Sequence, residues 1–174
     1  MVPLELNIEA YRGPYRDAFL HLLRTTPAPY SRTQFEPGHV TASCFIIDRA
    51  GRLLLHHHRR LNRWLQMGGH LEPGEDTASA ALREAAEESG LRDLGLIADA
   101  IADLDIHVIP PGRGEPEHRH YDVRYIARTG SADSIAADAR ESNALMWFDL
   151  GRAAELMQGE ESLRVIQKIR RLFE

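Results

Sequence analysis

Residues 68–91 read GGHLEPGEDTASAALREAAEESGL, and this stretch decides the fold of the chain. Its two leading glycines can take backbone conformations that other residues avoid, and Pro73-Gly74 marks a second turn. The segment that follows predicts a helix over 76–89, because Asp76 is a good N-cap and Gly90 a good stop. The stretch therefore predicts a sharply turning loop that leads directly into a helix.

Three glutamates share one face of this predicted helix. Glu84, Glu87 and Glu88 stand three and four residues apart, so their carboxylates project to the same side. Like charges at this spacing cost an isolated helix roughly 0.2–0.5 kcal/mol per pair, a cost that a bound cation would remove. Hard divalent ions prefer such oxygen ligands and share them with water and phosphate. Small apolar residues at the complementary spacing predict close packing on a sheet: Ala78, Ala81, Leu82, Ala85 and Ala86.

A glutamate-rich helix face is most often plain solvated surface, but the surrounding residues argue against that interpretation here. The stretch resembles the Nudix box, the signature of the Nudix hydrolase family. Met67 stands where a proline often precedes the glycines, and Ala85 replaces a larger aliphatic residue, but neither departure touches a carboxylate. The box is matched at every fixed position over about 23 residues: Gly69, Glu75, Arg83, Glu84, Glu87, Glu88, Gly90 and Leu91.

The resemblance implies roles for the residues of the box. Glu84, Glu87 and Glu88 would ligate Mg²⁺ or Mn²⁺, with the Gly68 carbonyl as a further ligand. Glu75 and Arg83 would form a structural ion pair that holds the loop against the helix.

The reaction that the resemblance implies is the hydrolysis of a diphosphate linkage in a nucleoside diphosphate joined to another group. Glu84 is the first candidate for the general base, and Glu88 belongs to the same catalytic cluster. Glu141, six residues before Trp147, stands where many family members place an additional catalytic or metal-binding glutamate. A catalytically silent Nudix domain that senses a nucleotide is the main alternative, and a domain that binds a basic partner is a weaker one. The complete set of carboxylates favours the enzyme.

Nine histidines are many for this length, and several are clustered. His56, His57 and His58 alternate across a predicted strand, and no cysteine accompanies them, so the pattern does not favour zinc. Four other residues are candidates for contact with substrate: His70, His118, His120 and, through its guanidinium group, Arg60.

Length and composition limit the remaining possibilities. A chain of 174 residues, 43% hydrophobic and 27% charged, predicts one folded domain, with a helical extension and connector over 1–38 and a core over 39–174. The net charge of −5 and the lack of a basic run argue against a nucleic-acid polymer as partner. No apolar run could span a membrane, and the single Cys44 suits a reducing cytoplasm. A homodimer is compatible with the sequence.

The order of predicted elements gives the fold class. We expect an α/β (α+β) fold of the Nudix type, with a mixed β-sheet sandwiched between helices. Cys44 should be a small buried residue within a strand. Strands are predicted over 40–47, 52–58, 97–109, 121–127 and 145–148, and helices over 4–24 with a break at Gly13-Pro14, 76–89, 150–157 and 162–173.

Overall fold

The computed structural model describes residues 3–98, 100–112, 114–138, 140 and 142–174. Within these residues the chain forms five α-helices and eight strands. The helices are α1 (Leu4–Ala10), α2 (Arg16–Thr25), α3 (Thr77–Ser89), α4 (Leu150–Met157) and α5 (Glu160–Arg171). The strands are β1 (His39–Ile47), β2 (Leu53–His58), β3 (Arg63–Leu65), β4 (Met67–His70), β5 (Gly95–Leu96), β6 (Asp103–Ile109), β7 (His118–Arg128) and β8 (Ser142–Phe148).

Strand β1 is the centre of one mixed sheet. It pairs in antiparallel fashion with β2 and β4, and in parallel with β7 along its whole length. Strand β7 in turn pairs with β5 and β6, while β2 pairs with β3 and β8. All nine residues of β1 are buried, as expected for a strand that is covered on both faces.

Helices cover both faces of the sheet, which confirms the predicted sandwich. Alternate residues of β1 point to opposite sides, so Cys44 and Ile46 belong to one hydrophobic core and Phe45 and Ile47 to another. The first core packs against α1, α2 and α3, and the second against α4 and α5. As predicted, Cys44 is a buried free thiol.

Helix α3 has the capping residues that the sequence indicates. The Asp76 carboxylate accepts hydrogen bonds from the backbone N–H groups of Ala78 and Ser79, and Gly90 ends the helix in the left-handed conformation at φ 75°. The fully buried contacts of the helix are made by alanines, namely Ala80, Ala81 and Ala85. Ala78 and Leu82, which were expected to make these contacts, are partly buried and pack at the edge of the core. Ala80 was not among the residues that the sequence predicted to pack on the sheet.

Three predicted strands have clearly different limits in the structure, and one of them is β8, which begins at Ser142 and not at 145. The strand expected over 97–109 is shorter, because β6 begins only at Asp103 and a separate short β5 precedes it. Ile97 and Ile101 pack against the cores from outside the strands, which explains why their apolar character misled the prediction. Strand β7 is longer than the expected 121–127. Among the described residues, no helix is long and apolar enough to cross a membrane.

The close packing of α3 on the sheet leads to a stability prediction. Ala85→Leu adds three carbon atoms where the side chain is fully buried, so we expect a loss of about 1–3 kcal/mol in the free energy of unfolding. Ala18→Leu, on the exposed face of α2, is the matched control and should change it by less than about 0.5 kcal/mol. Urea unfolding of both variants measures the difference. Equal small effects would mean that α3 does not pack tightly on the sheet.

Candidate active site

A cleft of about 950 Å³ opens beside α3, and its size suits a small-molecule ligand. Both ends of the Nudix-type segment contribute to its wall, because β4 lies in the sheet and α3 packs across it. The structure brings the following sequence-predicted residues to this one cleft: Arg60, Gly68, His70, Glu84, Glu87, Glu88, His118 and His120.

Glu84 lies directly against the glycine loop. A Cβ atom at position 69 would come within 2.6 Å of the Glu84 carboxyl carbon, so a larger residue there would require this carboxylate to move. Burial raises the pKa of Glu84, and a hydrogen bond from Arg83 opposes that shift. The lack of a side chain at Gly69 therefore leaves space for the Glu84 carboxylate beside the glycine loop.

The other two carboxylates differ in exposure. Glu88 is 8% exposed and accepts a hydrogen bond of 3.2 Å from the backbone N–H of Gly68. The Glu87 side chain is 60% exposed and lies at the rim of the cleft. The three glutamates thus form a graded set, from a buried carboxylate at the floor to a solvated one at the rim.

Arg83 ties the loop to the helix. Its Nε and Nη2 atoms donate to the two carboxylate oxygens of Glu75, each at 2.9 Å, and Nη2 also donates to the backbone carbonyl of His70 at 2.9 Å. Its Nη1 atom donates to Glu84 at 2.9 Å and to Glu87 at 3.5 Å. Hydrogen bonding to Arg83 lowers the pKa of Glu75, and the bond with Glu75 raises the pKa of Arg83. One guanidinium group therefore positions parts of both the loop and the carboxylate cluster.

Another part of the cleft wall is a buried polar network that sequence reasoning missed. Asp122 accepts hydrogen bonds from Ser43 at 2.7 Å and Thr41 at 3.2 Å on β1, and from the Nε atom of Arg124 at 3.1 Å. Arg124 also donates to Asp105 at 2.9 Å. The alternation of β7 carried the signal, because Asp122 and Arg124 are two residues apart on one face of the strand, between apolar residues of the other face.

Several histidines line the same cleft. His70 and His120 are half-buried, and burial lowers the pKa of His70 to about 4 and that of His120 to about 2. His118 is 5% exposed. The rings of His39 and His107 contact His120, and sequence reasoning did not select either residue. Burial therefore disfavours the charged form of His39, His70 and His120, whose pKa values it lowers.

The remaining predicted residues are placed as follows. His56 and His58 line the cleft while His57 packs on Trp64, in agreement with the predicted alternation. The His56 ring contacts the Ser142 hydroxyl at 2.7 Å, and burial lowers its pKa to about 4. Glu141 lies outside the described residues, so its predicted role rests on the sequence alone.

The bond between Glu75 and Arg83 has a measurable pH signature. Because its pKa is lowered, Glu75 should stabilise the fold above the ordinary glutamate value of 4.5, and this stability should be lost as the pH falls through the lowered value. We expect Glu75→Gln to reduce the free energy of unfolding by about 1–2 kcal/mol at pH 7, and the difference to shrink below about pH 4.5. Urea unfolding across this range is the measurement.

Glu72→Gln is the control for this prediction, since Glu72 is exposed in the same loop. It should leave stability nearly unchanged at every pH. A loss in Glu75→Gln that persists undiminished at about pH 3 would contradict the ionic origin of the contact.

Comparison with known proteins places this fold and cleft in a family. The NUDIX domain profile matches residues 37–169. The m7GpppN-mRNA hydrolase NUDT17 of Xenopus laevis is 32% identical over 108 residues, which cover 58% of this chain but only 36% of that protein. The bis(5'-nucleosyl)-tetraphosphatase (asymmetrical) of Rattus norvegicus is 28% identical over 116 residues, covering 67% of this chain and 76% of that protein. The chain thus spans about a third of the length of the first relative and three quarters of the second.

Solved structures agree with this placement. A NUDIX-family hydrolase from Clostridium perfringens has a TM-score of 0.58 at 30% identity, over 78% of this chain and 98% of that one. An Ap4A hydrolase from C. elegans, in a binary complex, has a TM-score of 0.63 at 21% identity, over 77% of this chain and 96% of that one, and shows the shared fold. The chain belongs to the Nudix family of pyrophosphohydrolases, enzymes that act on phosphoanhydride bonds and typically depend on divalent metal ions.

Proposed function

We propose that this chain hydrolyses a diphosphate linkage in a small nucleoside diphosphate derivative, using a divalent cation. The observation that carries the proposal is the approach of Glu84 to Gly69, which brings a helix carboxylate to the glycine loop inside a cleft. A surface cluster of glutamates would need no such close approach. The complete carboxylate set favours an enzyme over a nucleotide sensor, because a module that only binds nucleotides would not need to keep all three.

The donor atoms at this site suit a hard cation. Glu84, Glu87 and Glu88 supply carboxylate oxygens, and the Gly68 backbone adds a carbonyl, which together match the preference of Mg²⁺ and Mn²⁺. When bound, such an ion offsets charge on the phosphate oxygens and lowers the pKa of the attacking water. The burial of Glu88 supports this interpretation, since a carboxylate at 8% exposure gains more from a nearby cation than a solvated one does.

The protein groups then have separate tasks. Glu84 is our candidate for the base that accepts the proton of the attacking water at its carboxylate. Its hydrogen bond to Arg83 holds that carboxylate in one orientation. Arg60 and the histidines of the cleft are candidates for binding the rest of the substrate. A guanidinium group suits phosphate, and flat imidazole rings suit stacking on a nucleobase.

Two relatives suggest which substrates to test first. The names of the frog and rat proteins describe hydrolysis of an mRNA cap and of a bis(5'-nucleosyl) tetraphosphate. Both compounds contain two nucleosides joined by a chain of phosphates. We propose this chemistry as the starting point of a substrate panel, with a small molecule as substrate, since a net charge of −5 does not favour a polymer of phosphates.

The proposed function predicts a large effect of Glu88→Gln. The substitution keeps the shape of the side chain and removes one negative charge from the cluster, so kcat should fall by about 10²–10³ while KM changes little. The free energy of unfolding without metal should stay equal or rise slightly, because one of three repelling carboxylates is neutralised. The measurements are turnover of the panel with Mg²⁺ or Mn²⁺, read as phosphate released after phosphatase coupling, and unfolding in chelator.

Glu155→Gln is the matched control, because this α4 glutamate has an exposed side chain that pairs only across the helix surface with Arg152. It should retain wild-type turnover. Near-normal turnover of Glu88→Gln would place the metal elsewhere. Tight nucleotide binding by the wild-type protein without any turnover would favour the sensor instead.

Glu141 remains a candidate for a second catalytic glutamate, on the resemblance alone. If it acts as a base or a metal ligand, Glu141→Gln should lower kcat at least tenfold without a change in thermal unfolding. Asn143, an exposed neighbour, provides the control as Asn143→Ala. Unchanged turnover in Glu141→Gln would remove this residue from the proposed mechanism.

A further inference from the structure

Five histidine rings form a continuous row on neighbouring strands, and all of them except the buried His39 line the cleft. His39 on β1 is the pairing partner of His120 on β7, and His120 is in turn the partner of His107 on β6. On the other side of β1, His70 of β4 pairs with Thr41, two residues from His39. His118 lies two residues before His120 on the same strand face. The sheet register therefore gathers rings that are up to 81 positions apart in sequence, and we call this set the histidine row.

Three members of the row form a compact group of nitrogen donors. One ring nitrogen from each of His39, His70 and His120 lies within 4.8 Å of the other two. The ring centroids are 5.1 Å apart for His39 and His70, 4.9 Å for His39 and His120, and 5.1 Å for His70 and His120. A shift of about an ångström in the rings would bring these nitrogens to the separation of about 3.3 Å that a tetrahedral zinc site requires.

His39 supplies an independent indication that something binds here. Its Nδ1 atom is 3.0 Å from the backbone carbonyl of Gln34, an oxygen that can only accept, so Nδ1 carries the proton of the neutral ring. Its Nε2 atom then has a free lone pair, yet it is buried with no hydrogen-bond partner among the described residues. Buried polar atoms are nearly always satisfied, so an unpartnered ring nitrogen within a group of imidazoles points to a ligand.

His118 also donates an Nδ1 proton to a backbone carbonyl, but its Nε2 atom has a hydrogen-bond partner in His120. The His118 Nδ1 atom donates to the backbone carbonyl of Pro116 at 2.9 Å, which leaves Nε2 as the acceptor atom. That Nε2 lies 3.3 Å from Nε2 of His120, close to the ligand separation of a tetrahedral site. Histidines that bind metals usually donate their other N–H to a carbonyl or a carboxylate, as His39 and His118 do.

We propose that His39, His70 and His120 bind a transition-metal ion of the zinc type, with His118 beside them as a fourth nitrogen. Imidazole nitrogens suit Zn²⁺ and related ions, whereas Mg²⁺ prefers the oxygen donors of the glutamates. The cleft then carries two metal sites with different donor chemistry. The zinc site would connect β4, β1 and β7, and it would lie at the end of β4 that follows Gly68 and Gly69.

The test is zinc binding by the full chain, freed of metal by chelation and then kept in excess Mg²⁺ so that the carboxylates are not available to Zn²⁺. Equilibrium dialysis should give one tightly bound Zn²⁺ per chain, and Zn²⁺ should raise the Tm. His70→Ala and His120→Ala, which alter half-buried rings, should weaken Zn²⁺ binding at least 10- to 100-fold and remove the rise in Tm. Circular dichroism before the titration verifies that each variant is folded.

Two further variants make the result specific. His21→Ala removes an exposed histidine on α2 and should leave Zn²⁺ binding unchanged. Glu87→Gln alters the acidic site and should also leave it unchanged. The proposal is overturned if the wild-type protein binds no Zn²⁺ in excess Mg²⁺, or if folded His70→Ala and His120→Ala bind it as tightly as the wild type. Loss of Zn²⁺ in Glu87→Gln alone would also overturn it, because the ion would then sit on the carboxylates.

Discussion

The contact between Arg83 and Glu75 is the constraint on which the acidic end of the cleft depends. Three carboxylates at helical spacing repel one another, and the helix sets only the face on which they lie, not the orientation of each carboxylate. Arg83 orients the Glu84 carboxylate, because its planar guanidinium group donates hydrogen bonds to Glu84, to the Glu75 side chain and to the His70 carbonyl. A lysine could not make these contacts at once. The loop and the helix therefore hold each other in place through one side chain.

The cleft and the second hydrophobic core share a face of the sheet. On β1, His39, Thr41 and Ser43 have the same parity as Phe45 and Ile47, so one face of the strand is polar at its start and apolar at its end. Strand β7 pairs in parallel beside β1, and its matching face also changes from polar to apolar along the strand. The polar half lines the cleft, and the apolar half lies under α4 and α5. These two helices cover the apolar half of this face, so the cleft is confined to the polar half.

What the sequence could predict was local. The Nudix-type spacing, the Asp76 cap and the glycine that stops α3 act over a few residues, so they can be seen in one chain, and the fold class followed from them. The register of β1 against β7 joins residues about 80 positions apart, and no local rule brings His39 opposite His120. The predicted strand over 97–109 was too long for a related reason, since apolar residues such as Ile101 pack on a core without joining β6.

The negative charges around the cleft are a physical reason to expect a bound cation at this site. A chain of phosphates entering it would meet Glu84, Glu87 and Glu88, and the whole chain carries a net charge of −5. The arginines that line the cleft include Arg32 and Arg60, but Arg83 is already engaged by glutamates. Without a bound ion, the carboxylates would repel the phosphates of a substrate at close range. A divalent ion held by these carboxylates, as we propose, would offset their charge and allow the acidic cluster to bind an anion.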